Sequence, residues 1–434
     1  MPDVRMPNRR RIALACALAL SVVIAHASVS AQSRQRFTNA QWFDGTTFRR
    51  GDRYVVDGVF SARRPARIDK TTDLHGAFVV PPFAEAHSHN VESSRFDAVS
   101  ALHLKAGVFY VKNPNGLKRF TTPLIGRINV PQGLDVSFAH GGLTGAGGHP
   151  IAIAQRQITR GTWTAADGDG GFYWVIDDIA MLDAKWPKIL ADNPDFIKTY
   201  LLYSEEYDKR RADSTYLDWR GLNPALLPEI VRRAHAAKKR VSTHVETAQD
   251  FRNAVSAGVD EINHLPGFRP ERVDPRAYEQ MTRYQLTDDD ARWAARARIT
   301  VVTTVGGIVE FMNQIPSTSP QAPLVALTFE MLRSNLRILQ RHGVRIAIGS
   351  DEYSRSADFE AEQLAALHAV DNLTLLKWWV ENTPATIFPT RKLGKLAKGY
   401  EASFLVLDGN PLDDFANTRK IRIRVKQGVL IPPP

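Results

Sequence analysis

The stretch "VVPPFAEAHSHN", residues 79–90, decides how the rest of the chain is read. An apolar run broken by Pro81 and Pro82 leads into two histidines one residue apart. Residues i and i+2 of a strand point to the same face, so His87 and His89 would aim two imidazoles at one point. That is what a metal ion needs, and the remaining ligands must come from elsewhere in the chain. Among 12 histidines such a pair also arises by chance, so its meaning depends on what accompanies it.

The bulk properties set the frame. A chain of 434 residues is long enough for one large domain and a smaller one. Its 44% hydrophobic and 24% charged residues are ordinary for a globular protein. Residues 1–31 read as a signal peptide: a basic start, an apolar core from Ile12 to about Ala25, and small residues placed for cleavage after Ala27 or Ala31. Ser21 and His26 interrupt the apolar stretch, which is short for a span, so no stable membrane span is expected after cleavage. The expectation is a secreted or periplasmic protein.

Cleavage would also remove Cys16, the only cysteine, which excludes cysteine nucleophiles and thiolate metal sites. Four arginines and one aspartate leave with the segment, so the formal charge falls from +10 to +7. A modest positive excess favours anionic substrates. The basic residues are scattered rather than interleaved with aromatics, so nucleic acid is not expected as a partner. A small-molecule substrate is, and a homo-oligomer is compatible with the sequence.

Residues 36–80 read as short strands punctuated by Gly and Asp turns, and residues 389–434 mirror them with "SFLVLDG" and "IRIRVKQGVLI". The two segments are expected to meet as the halves of a small β-sandwich. Between them, over 81–388, strand and helix patterns alternate. "TDDDARWAARAR" opens with a Thr N-cap and an acidic first turn before the strand "ITVVTTVGG". Eight strand candidates emerge, counted from residue 79. The simplest closure is an α/β fold of the (β/α)8 TIM-type barrel class.

Barrels of this type keep their chemistry at the C-terminal ends of the strands. The first strand ends in His87 and His89, the fifth in His244, the sixth in His264 and the eighth in Asp351. Lys198 lies within the fourth, in "DFIKTYL", where a buried lysine is expensive unless paired or modified. Imidazoles and carboxylates suit zinc or a similar divalent ion. An ammonium cannot ligate a cation, but a lysine carbamate formed with CO2 is anionic and can bridge two metals. His87, His89 and Asp351 would hold one ion and His244 and His264 the other, with Lys198 bridging. A shared hydroxide would attack the substrate, and Asp351 would carry its proton to the leaving group.

The order of these motifs resembles the amidohydrolase superfamily: HxH, strand lysine, His, His and "GSD", set between two halves of a β-sandwich. It is most similar to the binuclear, carboxylated-lysine branch, near the imidazolonepropionase-like and Xaa-Pro or Xaa-Arg dipeptidase groups. The resemblance covers nearly all of residues 36–434, and "TPATIFPTRKLGKLAKGYEASFLVLDGNPL" is similar to the family's return from helix to sandwich. It implies the ligand set above. Glu85 departs from the usual aspartate before HxH, and Ser403 stands where an aspartate is common. The glycine-rich third loop "GGLTGAGGHP" leaves the substrate open.

His140 and His149 flank that loop as substrate-binding candidates, the resemblance implying that one of them helps polarise a carbonyl. Alternation puts Tyr200 on the same face as Lys198, where its hydroxyl would meet a substrate carbonyl or carboxylate. Each has a plain alternative as a bracing or core residue. His103, His235 and His342 read as solvated or packing residues. The reading that results is an exported hydrolase of amide or peptide-like C–N bonds. Esters, lactones or phosphoesters on the same site form the alternative, and a non-catalytic binding protein comes third.

Overall fold

The computed structural model describes residues 33–269 and 280–433. The expected signal peptide lies outside the described residues. No described helix is long and apolar enough to cross a membrane.

The N-terminal segment enters as the strand Arg34–Phe43, which forms an antiparallel hairpin with Phe48–Val56. A register shift between Phe37 and Ala40 bends the first strand. Its first half runs parallel to Lys70–Asp73 and its second half to Phe78–Val80. Phe404–Leu407 then adds antiparallel to Phe78–Val80, followed by Ile421–Lys426 and Val429–Ile431. N- and C-terminal segments therefore share one eight-stranded sheet. Its core is aromatic: Phe404 meets Phe37 at 4.9 Å and Trp42 at 5.5 Å between ring centroids.

The barrel strands, numbered in chain order, are β1 Phe83–Glu85, β2 Val108–Asn113, β3 Asp135–Phe138, β4 Phe196–Tyr200, β5 Arg240–His244, β6 Glu261–Asn263, β7 Thr300–Val302 and β8 Arg345–Ala347. Every residue of β2 and β4 is buried, as expected for parallel strands covered on both faces. β1 to β3 pair in order, and β4 to β8 pair in order. The Asp195 N–H, next to β4, donates to the Phe138 carbonyl of β3 at 2.7 Å. The Ala86 N–H, just past β1, donates to the Ile348 carbonyl past β8 at 2.9 Å. These two bonds join the runs into a ring of eight.

β3 does not run straight. It breaks at His140, whose φ is 59°, and resumes as Gly142–Thr144 against β4. A further strand, Tyr173–Val175, pairs with that continuation. Gly142 is required there, because a Cβ would lie 2.5 Å from the Tyr200 ring and 3.1 Å from Lys198 Cγ. The capping expected at "TDDDARWAAR" is present: Thr287 and Asp290 form a reciprocal box at the start of the helix Asp288–Arg296.

Candidate metal centre

The eight strands bring the sequence-marked residues to one mouth. A cavity of about 160 Å3 is lined by His87, His89, His149, Lys198, Tyr200, His244, His264, Arg269 and Asp351, among others. One expectation changes. His87 and His89 do not lie on a strand, because β1 ends at Glu85. The chain beyond it is held by β8 instead: Ser88 bridges to Glu352, and the Asp351 N–H donates to the His87 carbonyl at 2.7 Å. Gly349 makes this approach possible, since a Cβ there would lie 2.7 Å from that of His87.

Three atoms converge. His87 Nε2 and His89 Nε2 are 3.3 Å apart, and Asp351 Oδ1 lies 3.4 and 3.1 Å from them. A point equidistant from the three is about 1.9 Å from each, close to the about 2.0–2.2 Å of zinc–nitrogen and zinc–oxygen bonds. Facing lone pairs of two neutral imidazoles and a carboxylate repel unless a cation or a proton lies between them. Burial lowers the His87 imidazole well below its ordinary range, and Lys198, His264 and His89 push it further down. A proton on His87 is thereby disfavoured, and the donor set suits a metal ion.

His264 and His244 stand beside this group, their rings 4.2 Å apart and His264 4.8 Å from His87. Burial, followed by neighbouring positive groups, keeps both neutral. Their free nitrogens are set by their other partners. His264 Nδ1 meets Thr304 Oγ1 at 2.6 Å, leaving Nε2, and His244 Nε2 meets Glu246 Oε1 at 3.1 Å, leaving Nδ1. His264 and Asp351 both hold left-handed backbone, with φ of 77° and 57°. For residues with a Cβ that is a sparsely populated conformation, found where surrounding structure over-determines the site.

Lys198 is 1% exposed, and its Nζ donates to Asn263 Oδ1. No described carboxylate pairs with it. Burial lowers its amine to about 7, with Asp351 and Glu261 opposing. An amine made substantially neutral near pH 7 in this way is a competent nucleophile toward CO2. Beneath it lies a buried polar layer that the sequence reading missed. Lys112 Nζ donates to Glu261 Oε1 at 2.7 Å, Ser242 bonds both Glu261 and Asn263 at 2.8 Å, and Thr386 donates to Glu261 Oε2 at 2.5 Å.

Glu85 is the second residue whose role the sequence did not disclose. It is fully buried and accepts the backbone N–H groups of His87 and Ser350, each at 2.9 Å, and the Ser350 hydroxyl at 2.6 Å. Burial pushes its carboxyl up to about 8 against those donors.

The substrate candidates separate. His149 lines the cavity with Nδ1 3.1 Å from Asp218 Oδ2. Tyr200 lines it too, its hydroxyl accepting from Asn115 Nδ2 at 2.7 Å. His140 does not reach the cavity. The break in β3 turns it against Phe138 and Thr121, with ring centroids 5.8 Å apart in one contact and Nδ1 3.4 Å from the hydroxyl in the other. It braces a loop. His103 is a packing residue, buried between Ser356 and Asn90. Arg269, unmarked in the sequence, enters the cavity and bonds Glu246 through Nε at 2.5 Å.

The model of the amidohydrolase family matches residues 220–430, the stretch that carries His244, His264 and Asp351. This match, with the order of the ligands, makes the chain similar to the amidohydrolase superfamily. No curated protein matches the chain in sequence. Among solved structures it is similar to the ochratoxinase of A. niger, with 18% identity and a TM-score of 0.70, over 93% of this chain and 96% of that one. It is also similar to a Xaa-Pro dipeptidase with methionine in its active site, with 16% identity, a TM-score of 0.66, and 92% and 99% covered. A prolidase complexed with N-methylphosphonate-L-proline gives 17%, 0.67, 92% and 99%. At these identities the likeness establishes the fold.

Proposed function

We propose that this protein is an exported, metal-dependent hydrolase of amide C–N bonds, acting on a small N-acyl amino acid or dipeptide. The observation that carries the reading is the convergence of His87 Nε2, His89 Nε2 and Asp351 Oδ1 within 3.1–3.4 Å. His87, His89 and Asp351 would hold one divalent ion, zinc suiting these donors best, and His244 and His264 would hold a second, with Lys198 as a carbamate supplying further oxygen donors. When bound, such ions bring the pKa of water to about 7 and polarise a carbonyl.

The chain's own groups supply the rest. Asp351 faces the cavity and takes the proton of the attacking water, then returns it to the leaving nitrogen. His149 is held by Asp218 with one nitrogen left for the developing oxyanion. Arg269 places a guanidinium in the cavity, which suits a substrate carboxylate. The neighbours in fold support a carbon–nitrogen bond as the target: they include a Xaa-Pro dipeptidase, a molinate hydrolase and phenylurea hydrolase B.

The test is elemental analysis of the purified mature protein followed by an amide screen. About two divalent ions per chain and amide cleavage that is lost on chelation and restored by zinc are expected. A protein that refuses zinc, or that cleaves lactones or phosphoesters but no amide, would overturn the reading.

A further inference from the structure

We infer that the metal cavity opens into a second chamber that takes a bulky apolar group on the acyl side of the scissile bond. This rests on the amide-hydrolase reading above. A chamber of about 250 Å3 shares His89, Asn115, Ile153, Phe172 and Tyr353 with the metal cavity. With the 160 Å3 of that cavity it reaches the size of a small-molecule site, about 300–1,000 Å3.

One side of the chamber is apolar. Leu117 and Phe172 belong to a small hydrophobic cluster of their own, separate from the barrel core, with Phe120, Ile153 and Trp163 packed against it. Trp163 and Phe172 meet at 4.8 Å in an edge-on contact. All five line the chamber. An aromatic ring offered by a substrate would find both a ring edge and aliphatic surface there.

The amide donors of the chamber are turned to other work, while Asn113 Oδ1 and Asn115 Oδ1 stay as buried, unpartnered acceptors. Asn115 Nδ2 is spent on the Phe172 carbonyl and the Tyr200 hydroxyl, and Asn113 Nδ2 on the Val91 carbonyl. Glu92 lies 4.0 Å from Arg95, so the two charges offset each other. The chamber therefore offers no net charge to a ligand and selects an uncharged group.

Direction follows from which residues the two spaces share. The chamber opens at the His89 end, whereas His244, His264 and Arg269 line the metal cavity alone. A substrate whose carboxylate meets Arg269 and whose carbonyl lies at the metal centre must send its acyl group toward the chamber. The substrate class is an amino acid acylated by an aromatic or branched aliphatic group.

The experiment compares N-acetyl and N-(3-phenylpropionyl) derivatives of one amino acid. A kcat/KM ratio of at least about 100 in favour of phenylpropionyl is expected, since even a single methylene in an apolar pocket is worth about 10–200-fold. Ile153→Trp fills the chamber and should collapse the ratio toward one. Equal kcat/KM for the two amides, or a ratio untouched by Ile153→Trp, would overturn the inference. If neither amide is cleaved, the hydrolase reading has failed, and the chamber is judged by binding. Titration of the zinc-loaded protein, followed by tryptophan fluorescence, should then show phenylpropionyl bound at least tenfold tighter than acetyl, with the difference lost in Ile153→Trp. Equal binding overturns the chamber.

Discussion

Glu85 accepts both the backbone N–H and the hydroxyl of Ser350, at 2.9 and 2.6 Å, and so ties the end of β1 to the end of β8. The same carboxylate takes the His87 N–H. One buried side chain thus fixes the spacing between the HxH pair and Asp351, which is the spacing a metal would read.

Glu85→Ala leaves two buried N–H groups and a hydroxyl without their acceptor. Each orphan costs about 1–3 kcal/mol, so a large drop in Tm is expected. Support of this kind also governs metal affinity, typically by about 10–100-fold. Glu85→Asp keeps the carboxyl group but is shorter by a methylene, and should recover part of both. Zinc titration and thermal unfolding of the two variants check this. A Glu85→Ala protein with unchanged zinc affinity would refute the positioning role.

Lys198→Ala tests the bridge. Zinc content should fall from about two ions per chain to one or fewer, with turnover falling by at least about 100-fold, the scale of losing metal-centred chemistry. High bicarbonate should speed reconstitution of the wild type and do nothing for the variant. A Lys198→Ala enzyme with two ions and full turnover would remove the carbamate from the mechanism.

His149 provides a subtler case. Its Nδ1 contact with Asp218, at 3.1 Å, fixes which nitrogen faces the cavity. Asp218→Asn leaves the shape but removes that control, as for other histidines steered by a carboxylate. An about 10–100-fold loss in kcat with KM little changed is expected, because the interaction is made in the transition state. A loss confined to KM would assign His149 to ground-state binding instead.

Much of this site was legible because its chemistry is spelled in residue types. His87, His89, His264 and Asp351 follow strands and His244 ends one, and the β/α alternation says that strand ends share one face. Lys198 could be read from its position inside an apolar run. Glu85 could not, because a lone glutamate after two prolines and an Ala carries no spacing signal, and its partner Ser350 is 265 residues away. His140 was misplaced for a related reason. The break of β3 at a left-handed residue turns the side chain away from the mouth, and backbone sign is not written in "AHGG". Arg269 was hidden by the same lack of pattern.

The Lys112–Glu261 pair below the site makes a prediction about pH. Burial alone would raise the Glu261 carboxyl, but Lys112 and then Arg240 hold it at about 2. A folded-state value below the ordinary about 4.3 contributes stability above that pH, lost only as the pH falls through about 2. Lys112→Met strands the carboxylate in the barrel, a change that costs about 3–5 kcal/mol for a buried pair. With the ammonium gone, only Arg240 and hydrogen bonds such as those from the Ser242 and Thr386 hydroxyls oppose burial, and the Glu261 value is expected to rise above the ordinary one. The variant then gains stability by binding a proton as the pH falls toward that ordinary value. The penalty should therefore be largest near pH 8 and smaller near pH 5, and Lys112→Met with Glu261→Gln should restore much of it. Urea unfolding of the three proteins at both pH values is the measurement. A penalty equal at pH 5 and pH 8 would mean that Lys112 contributes packing rather than charge.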